Sequence, residues 1–234
     1  MMRGVTATTR ALLAEVVGTF FFFTIGAGAI LADASGGGGG LVGIALAHGL
    51  ALAVAVSIFG PTSGAHFNPA VSLALALGGA FRWDRLIPYW IAQLGGGVLA
   101  GVVLLAAFPE KARALTHLGT PSVAPGVSDP AAVLVEGVLT SFLALAVFGT
   151  AVSPTAPRIA GFGIGLTVLV DILAGGPITG AAMNPARFFG TAIPALFFDH
   201  WWVYVVGPLA GGAAGGLLWR YAFAPTVAAV STQR

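Results

Sequence analysis

The chain has 234 residues, 57% hydrophobic and 8% charged, with a mean hydropathy of +0.96. Soluble domains carry about 25% charged residues, so this composition excludes a water-soluble globule and points to an integral membrane protein. A net charge of +2, with no basic run, argues against a nucleic-acid partner, and the absence of cysteine removes disulfides, thiolate chemistry and Cys-based metal sites.

A membrane-spanning helix takes about 20 mostly apolar residues. The first such run, residues 11–32, follows a basic start and is longer than the roughly 7–15 residues of a signal-peptide core, so it is predicted to remain as a first span, with Glu15 inside it. Gly-rich residues 35–40 are predicted to form a flexible outer loop. A second span covers residues 41–59, with His48 midway. "GPTSGAHFNPA" follows from Gly60 and opens an apolar stretch, residues 70–77, too short to cross. A third span covers residues 86–108, and residues 109–129 are predicted to be a polar loop joining two halves. The fourth span, residues 130–152, carries Glu136, and the fifth, residues 159–174, carries Asp171. "GPITGAAMNPA" begins at Gly176 and opens a second short stretch, residues 186–195, before a sixth span at residues 200–223. The alternation of a barrel strand is missing, and helices alone satisfy their own backbone in lipid. The expected fold is all-α, with six transmembrane helices and two short helical segments that enter without crossing.

Cation placement sets the orientation. With the N-terminus in the cytoplasm, Arg3, Arg10, Arg82, Arg85, Arg158, Arg220 and Arg234 fall inside, and Lys111 and Arg113 fall outside. The positive-inside rule therefore predicts both ends in the cytoplasm.

The chain also repeats itself. An offset of 116 superposes Gly60 on Gly176, Pro61 on Pro177, Gly64 on Gly180, and Asn68-Pro69-Ala70 on Asn184-Pro185-Ala186. Upstream, Glu15 pairs with Glu136; downstream, Gly97 and Gly101 pair with Gly211 and Gly215 at an offset of 114. A unit of three spans is odd, so its second copy is inverted in the membrane, as in channels and transporters with a midplane site. One domain, residues 1–234, is expected, with repeats over about 10–108 and 130–224.

Asn is a favoured N-cap and Pro suits the first helical position. Each Asn-Pro-Ala therefore reads as the start of a half-helix, with the two N-termini meeting mid-membrane. Capping uses the Asn oxygen and leaves the amide NH2 as a donor, so the meeting point presents two Asn donors and two positive dipole ends. A lone Asn-Pro marks only a turn; two in frame, each following a Gly-Pro, do not.

These residues resemble the aquaporin (major intrinsic protein) family along nearly the whole chain. The paired boxes, Arg187 directly after the second, Glu15, Glu136 and "HWWVYVVGPLAGG" carry the resemblance. It implies a passive water channel, not an enzyme, working as a homotetramer with no cofactor. Glu15 and Glu136, costly in a membrane, are expected to accept hydrogen bonds from the re-entrant loops rather than to relay protons. His66 is expected to line the lumen or brace its loop beside Pro69, Ala70, Pro185 and Ala186. The resemblance also implies that His48, Ile172, Ala181 and Arg187 form the narrowest constriction, which most resembles that of plant vacuolar-membrane aquaporins. Strict water channels commonly have Phe and His in place of His48 and Ile172, and glycerol channels commonly have Asp in place of Phe188. Water is therefore expected first, with ammonia or urea second. An outer-loop His of that group has a weak counterpart in His117. No metal site is expected, and Asp171, whose repeat position holds Ala55, is left without a role. A secondary transporter needs further embedded ionisable sites. A hydrolase built on Ser63 with His66 or His48 lacks a nucleophile elbow. The plasma membrane is the expected location.

Overall fold

The computed structural model describes residues 6–157 and 159–225, so Arg3, Arg158 and Arg234 lie outside the described residues. Every regular element among them is helical: α1 (Ala7–Ala32), α2 (Gly40–Ser63), α3 (Pro69–Leu77), α4 (Leu86–Ala107), α5 (Glu110–Thr116), α6 (Asp129–Val147), α7 (Ala160–Thr179), α8 (Pro185–Ala195) and α9 (Val203–Leu218). The order long, long, short, long occurs twice, in α1–α4 and α6–α9. Five helical stretches are long and apolar enough to cross a bilayer. The sixth, α9, is glycine-rich and continues through a turn of π-helix, Trp219–Phe223.

Several element boundaries depart from the sequence expectation. Residues 35–40 make a tight connection: the chain kinks at Gly36 (φ 95°) just past α1, and Asp33 Oδ1 accepts the Gly40 N–H at 2.7 Å, where α2 begins. Residues 109–129 are not all loop, since they contain α5, followed by a left-handed turn at His117–Gly119. Both α2 and α7 run four or more residues past their expected ends, through Pro61 and Pro177. Neither proline lies in a first turn, so each removes one backbone bond and crowds the carbonyl four residues back, at about 3 kcal/mol, and the helices continue past them all the same. Each helix then stops on a left-handed glycine, Gly64 (φ 89°) and Gly180 (φ 78°), whose N–H bonds the carbonyl four residues back, in Gly60 and Gly176 respectively. Only glycine takes this conformation without steric penalty.

Close helix crossings come from facing glycines. A Cβ on Gly49 of α2 would lie 2.6 Å from the Gly165 carbonyl of α7, and one on Gly165 would lie 2.2 Å from the Gly49 carbonyl. These two positions are repeat mates at the 116 offset, so α2 and α7 meet where the copies meet. In α4, Gly97 and Gly101 press on the Ala186 and Gly190 carbonyls; in α9, Gly212 and Gly216 press on those of Ala70 and Ala74. The structural partners of Gly97 and Gly101 are thus Gly212 and Gly216, an offset of 115. This corrects the pairing with Gly211 and Gly215, which instead face α6 through Gly137 and Ser141. Runs of adjacent glycines make the register ambiguous by one residue in the sequence.

Burial is inverted relative to a soluble protein. Glu15, Thr19, Gln93, Glu136 and Thr140 are fully buried, while Leu13, Leu50, Ile91, Leu134, Phe162 and Val170 are exposed. Such an outer face is solvated by lipid rather than water.

Candidate functional site

Two loops, residues 64–68 and 180–184, carry the chain from a long helix into a half-helix. Each contains two non-glycine residues in the left-handed region: Ala65 and Phe67 in the first, Ala181 and Met183 in the second. Such a conformation costs roughly 1–2 kcal/mol per residue, so it persists only where contacts enforce it. The enforcing group is a carboxylate in each copy. Glu15 Oε1 accepts from the Ser63 hydroxyl (2.6 Å) and the His66 N–H (3.0 Å), and Oε2 accepts from the Phe67 N–H (2.8 Å). Glu136 does the same for the Thr179 hydroxyl (2.7 Å), the Ala182 N–H (2.9 Å) and the Met183 N–H (2.6 Å). Among the described residues each acid is held by neutral hydrogen-bond donors and by no cation. Charge-assisted bonds of this kind are about twice as strong as neutral ones.

At the loop ends, Asn68 Oδ1 accepts the Ala70 N–H at 2.8 Å, and Asn184 Oδ1 accepts those of Ala186 and Arg187 at 2.9 and 3.3 Å. Pro69 and Pro185 occupy the first helical positions. The two amides are not wholly free. Asn68 Nδ2 donates to the Met183 carbonyl at 2.8 Å, and Asn184 Nδ2 donates to the Phe67 carbonyl at 2.9 Å. One hydrogen of each NH2 therefore staples the opposite loop, and one remains. The half-helices diverge from this staple. The C-terminus of α3 lies by the start of α4 and takes Arg220 on the Leu77 carbonyl; the residues just after α8 lie against the turn that follows α5, with Phe197 stacked on His117.

A cavity of about 30 Å³ passes through this point, lined by Asn68, Asn184, His48, His66, Arg187, Ile172 and Ala181 among mainly apolar side chains. Such a volume is enough to hold water. His66 also borders a wider vestibule of about 630 Å³. Arg187 is 4% exposed and held at three points: Nη2 donates to the Gly119 carbonyl (2.7 Å), Nη1 to Thr191 (3.3 Å) and Nε to His48 Nε2 (3.4 Å). Five N–H donors are available, so two have no partner among the described residues. His48 Nδ1 sits 2.9 Å from the Ile44 carbonyl. A carbonyl can only accept, so Nδ1 carries the proton and Nε2 is the acceptor facing Arg187. The four residues His48, Ile172, Ala181 and Arg187 thus border one passage, with a fixed cation, an acceptor and two apolar faces.

The chain matches the family model described as Major intrinsic protein over residues 2–219. It is 42% identical over 232 residues to a "Probable aquaporin TIP3-2" of Arabidopsis thaliana, covering 93% of this chain and 85% of the relative. It is 41% identical to "Aquaporin-8" of Mus musculus over 210 residues, covering 89% and 80%. The chain belongs to the major intrinsic protein family. Its fold is similar to that of an aquaglyceroporin from Plasmodium falciparum, with a TM-score of 0.83 at 24% identity over 96% of this chain and 99% of that one. This major intrinsic protein is a multi-pass membrane channel for water or small solutes, not an enzyme.

Several residues of the site escaped the sequence reading. Tyr89 of α4 donates to the Ser63 carbonyl and Tyr204 of α9 to the Thr179 carbonyl, both at 2.8 Å. Their offset of 115 was the available signal. Gln93 and Ser72 form a polar pair beside Glu15, and the Gly119 carbonyl reaches Arg187 from the connecting segment. The His117 ring itself stacks on Phe197, 3.8 Å between centroids and 6° between planes, and does not border the cavity. Asp171 is buried, its Oδ2 has no partner among the described residues, and nothing around it gives it a role in the passage.

Proposed function

We propose that this major intrinsic protein passively conducts water, and secondarily ammonia and urea, through one pore per subunit. The observation that carries the reading is the narrow cavity on which both Asn amides, His48 and Arg187 converge. In this reading Asn68 and Asn184 donate their remaining amide hydrogens to the solute oxygen, holding a water molecule so that its own hydrogens point away from both. Arg187 and the two half-helix N-termini place positive charge where a cation would pass. His48, Ile172, Ala181 and Arg187 set the width: Ala181 is small and Ile172 offers no donor, so one wall is apolar and the constriction passes solutes slightly larger than water. Phe188, directly after Arg187, brings no carboxylate to orient a polyol, so glycerol passes weakly.

The same reading makes Glu15 and Glu136 the braces of the pore loops. It places His66, Pro69, Ala70, Pro185 and Ala186 in the loops themselves and treats residues 1–234 as one unit of inverted repeats over about 10–108 and 130–224. The chain ends face the cytoplasm, in keeping with the cation distribution. We further propose a homotetramer in the cell membrane, its exposed apolar faces shared between lipid and neighbouring subunits. The test is stopped-flow light scattering on proteoliposomes challenged with sucrose, ammonia, urea and glycerol. Water permeability above that of empty liposomes, with ammonia and urea ahead of glycerol, supports the proposal; equal permeability with and without protein refutes it.

A further inference from the structure

The two pore loops are near copies, yet they differ at one connected set of positions. In the first, Gln93 Nε2 donates to Glu15 Oε2 and to the Ser72 hydroxyl, both at 2.9 Å, and Ser72 Oγ lies 2.9 Å from His66 Nδ1. At the loop offset of 116, His66 is replaced by Ala182 and Ser72 by Phe188. At the offset of 115 that relates α4 to α9, Gln93 is replaced by Pro208. Glu136 nevertheless makes all three bonds to its loop without a glutamine or serine beside it. The brace does not need Gln93 and Ser72. What accompanies them is His66.

The direction of each hydrogen bond follows from the chain of partners. Glu15 receives only donors, so the Gln93 atom facing it is the NH2 group, which fixes the amide orientation. That NH2 fills one lone pair of Ser72 Oγ. No other acceptor for the Ser72 hydroxyl hydrogen is present among the described residues, so it points to His66 Nδ1. A nitrogen that accepts is bare, and in a neutral imidazole the other nitrogen then carries the proton. The ring is held in place by Phe81, edge-on at 4.6 Å, and by Tyr89 at 5.0 Å. It borders both the narrow cavity and the wider vestibule.

We propose that Gln93 and Ser72 are positioning residues that lock His66 as its Nε2–H tautomer, making it a third fixed donor to the solute next to Asn68 and Asn184. Water and ammonia each offer a lone pair to this donor. Ammonium has none and meets an N–H instead of an acceptor. His66 also cannot take a proton from the lumen, because its bare nitrogen faces Ser72. This selectivity role rests on the conduction proposed above; the tautomer itself does not.

The experiment combines nitrogen NMR of 15N-histidine-labelled protein in bilayers with flux measurements. The chain has four histidines, and the His66 signals are those lost in His66→Asn. The wild type is expected to show a protonated Nε2 and a bare Nδ1. Ser72→Ala should give a mixture of tautomers, a fall in water flux of about twofold or more, and a lower ratio of ammonia to ammonium permeation. Ser72→Thr keeps the hydroxyl and should restore all three. A wild-type His66 protonated on Nδ1 overturns the proposal even where the variants do not fold. An unchanged single tautomer in Ser72→Ala, or mixed tautomers with unchanged flux and ratio, overturns it as well. Failure of the conduction reading is distinct: it would appear as no flux in the wild type, with the spectrum still deciding the tautomer.

Discussion

At the scale of single residues, the pore centre depends on the two Asn amides doing three jobs at once. Asn68 caps α3, staples the Met183 carbonyl and, in the proposed pore, gives its remaining amide hydrogen to the solute. Asn68→Asp removes the staple and the lumen donor and adds a negative charge against the helix N-termini. Water flux should fall and cation conductance rise in both Asn68→Asp and Asn184→Asp; liposome ion-flux assays showing neither change would count against the central-donor assignment. Glu136 offers a second test. Glu136→Ala leaves the Ala182 and Met183 N–H groups without acceptors, at about 1–3 kcal/mol for each orphaned group, and releases two left-handed residues. Low yield and a depressed thermal midpoint are expected, whereas a normally melting Glu136→Ala protein would show that the carboxylate is not a brace. At the constriction, His48→Phe with Ile172→His narrows the passage and should suppress ammonia and urea more than water. A proportional loss of all three would contradict the filter assignment.

At the scale of helices, the glycine crossings set the distance between half-helices and spans. A Cβ at Gly101 would lie 2.1 Å from the Gly190 carbonyl of α8, a backbone atom that cannot step aside. Gly101→Ala therefore pushes α8, and Arg187 with it, out of place. Gly95, on the same helix, has nothing within 4 Å of its would-be Cβ, and Gly95→Ala should be neutral or slightly stabilising, because alanine favours the helix. Equal melting points and equal water flux for the two variants would refute the crossing argument. The half-helices were legible in the sequence because Asn-Pro is both an N-cap and a helix start, and the chain carries it twice in frame. The ends of α2 and α7 were not, because Gly-Pro reads as a break although both helices absorb it in their last turn. Segment 109–129 reads as loop on polarity, while α5 within it is fixed by packing, with Ala112 buried in a cluster with Ala27, Leu31, Leu104 and Leu118. Tertiary partners hid the rest: Gln93 and the Gly119 carbonyl reach the site from elements whose sequence spacing says nothing of their contact, and Tyr89 shows only as the repeat mate of Tyr204.

At the scale of the whole molecule, an apolar exterior surrounds a thread of polar groups that begins at Arg187 and His48, passes the Asn pair and ends at His66. Mercury compounds act on thiolates, and the chain has no cysteine. Water flux should therefore be insensitive to mercury at concentrations that leave bare liposomes intact, and thiol-reversible block would contradict this. The central claim is that this thread is a conducting pore whose filter passes small neutral solutes. Stopped-flow light scattering on proteoliposomes of the wild type, comparing sucrose with ammonia, urea and glycerol gradients, tests it most directly. The account predicts rapid water flux with measurable ammonia and urea entry and weak glycerol entry; water flux no faster than through protein-free liposomes would contradict the pore, and fast water with ammonia and urea excluded would contradict the filter.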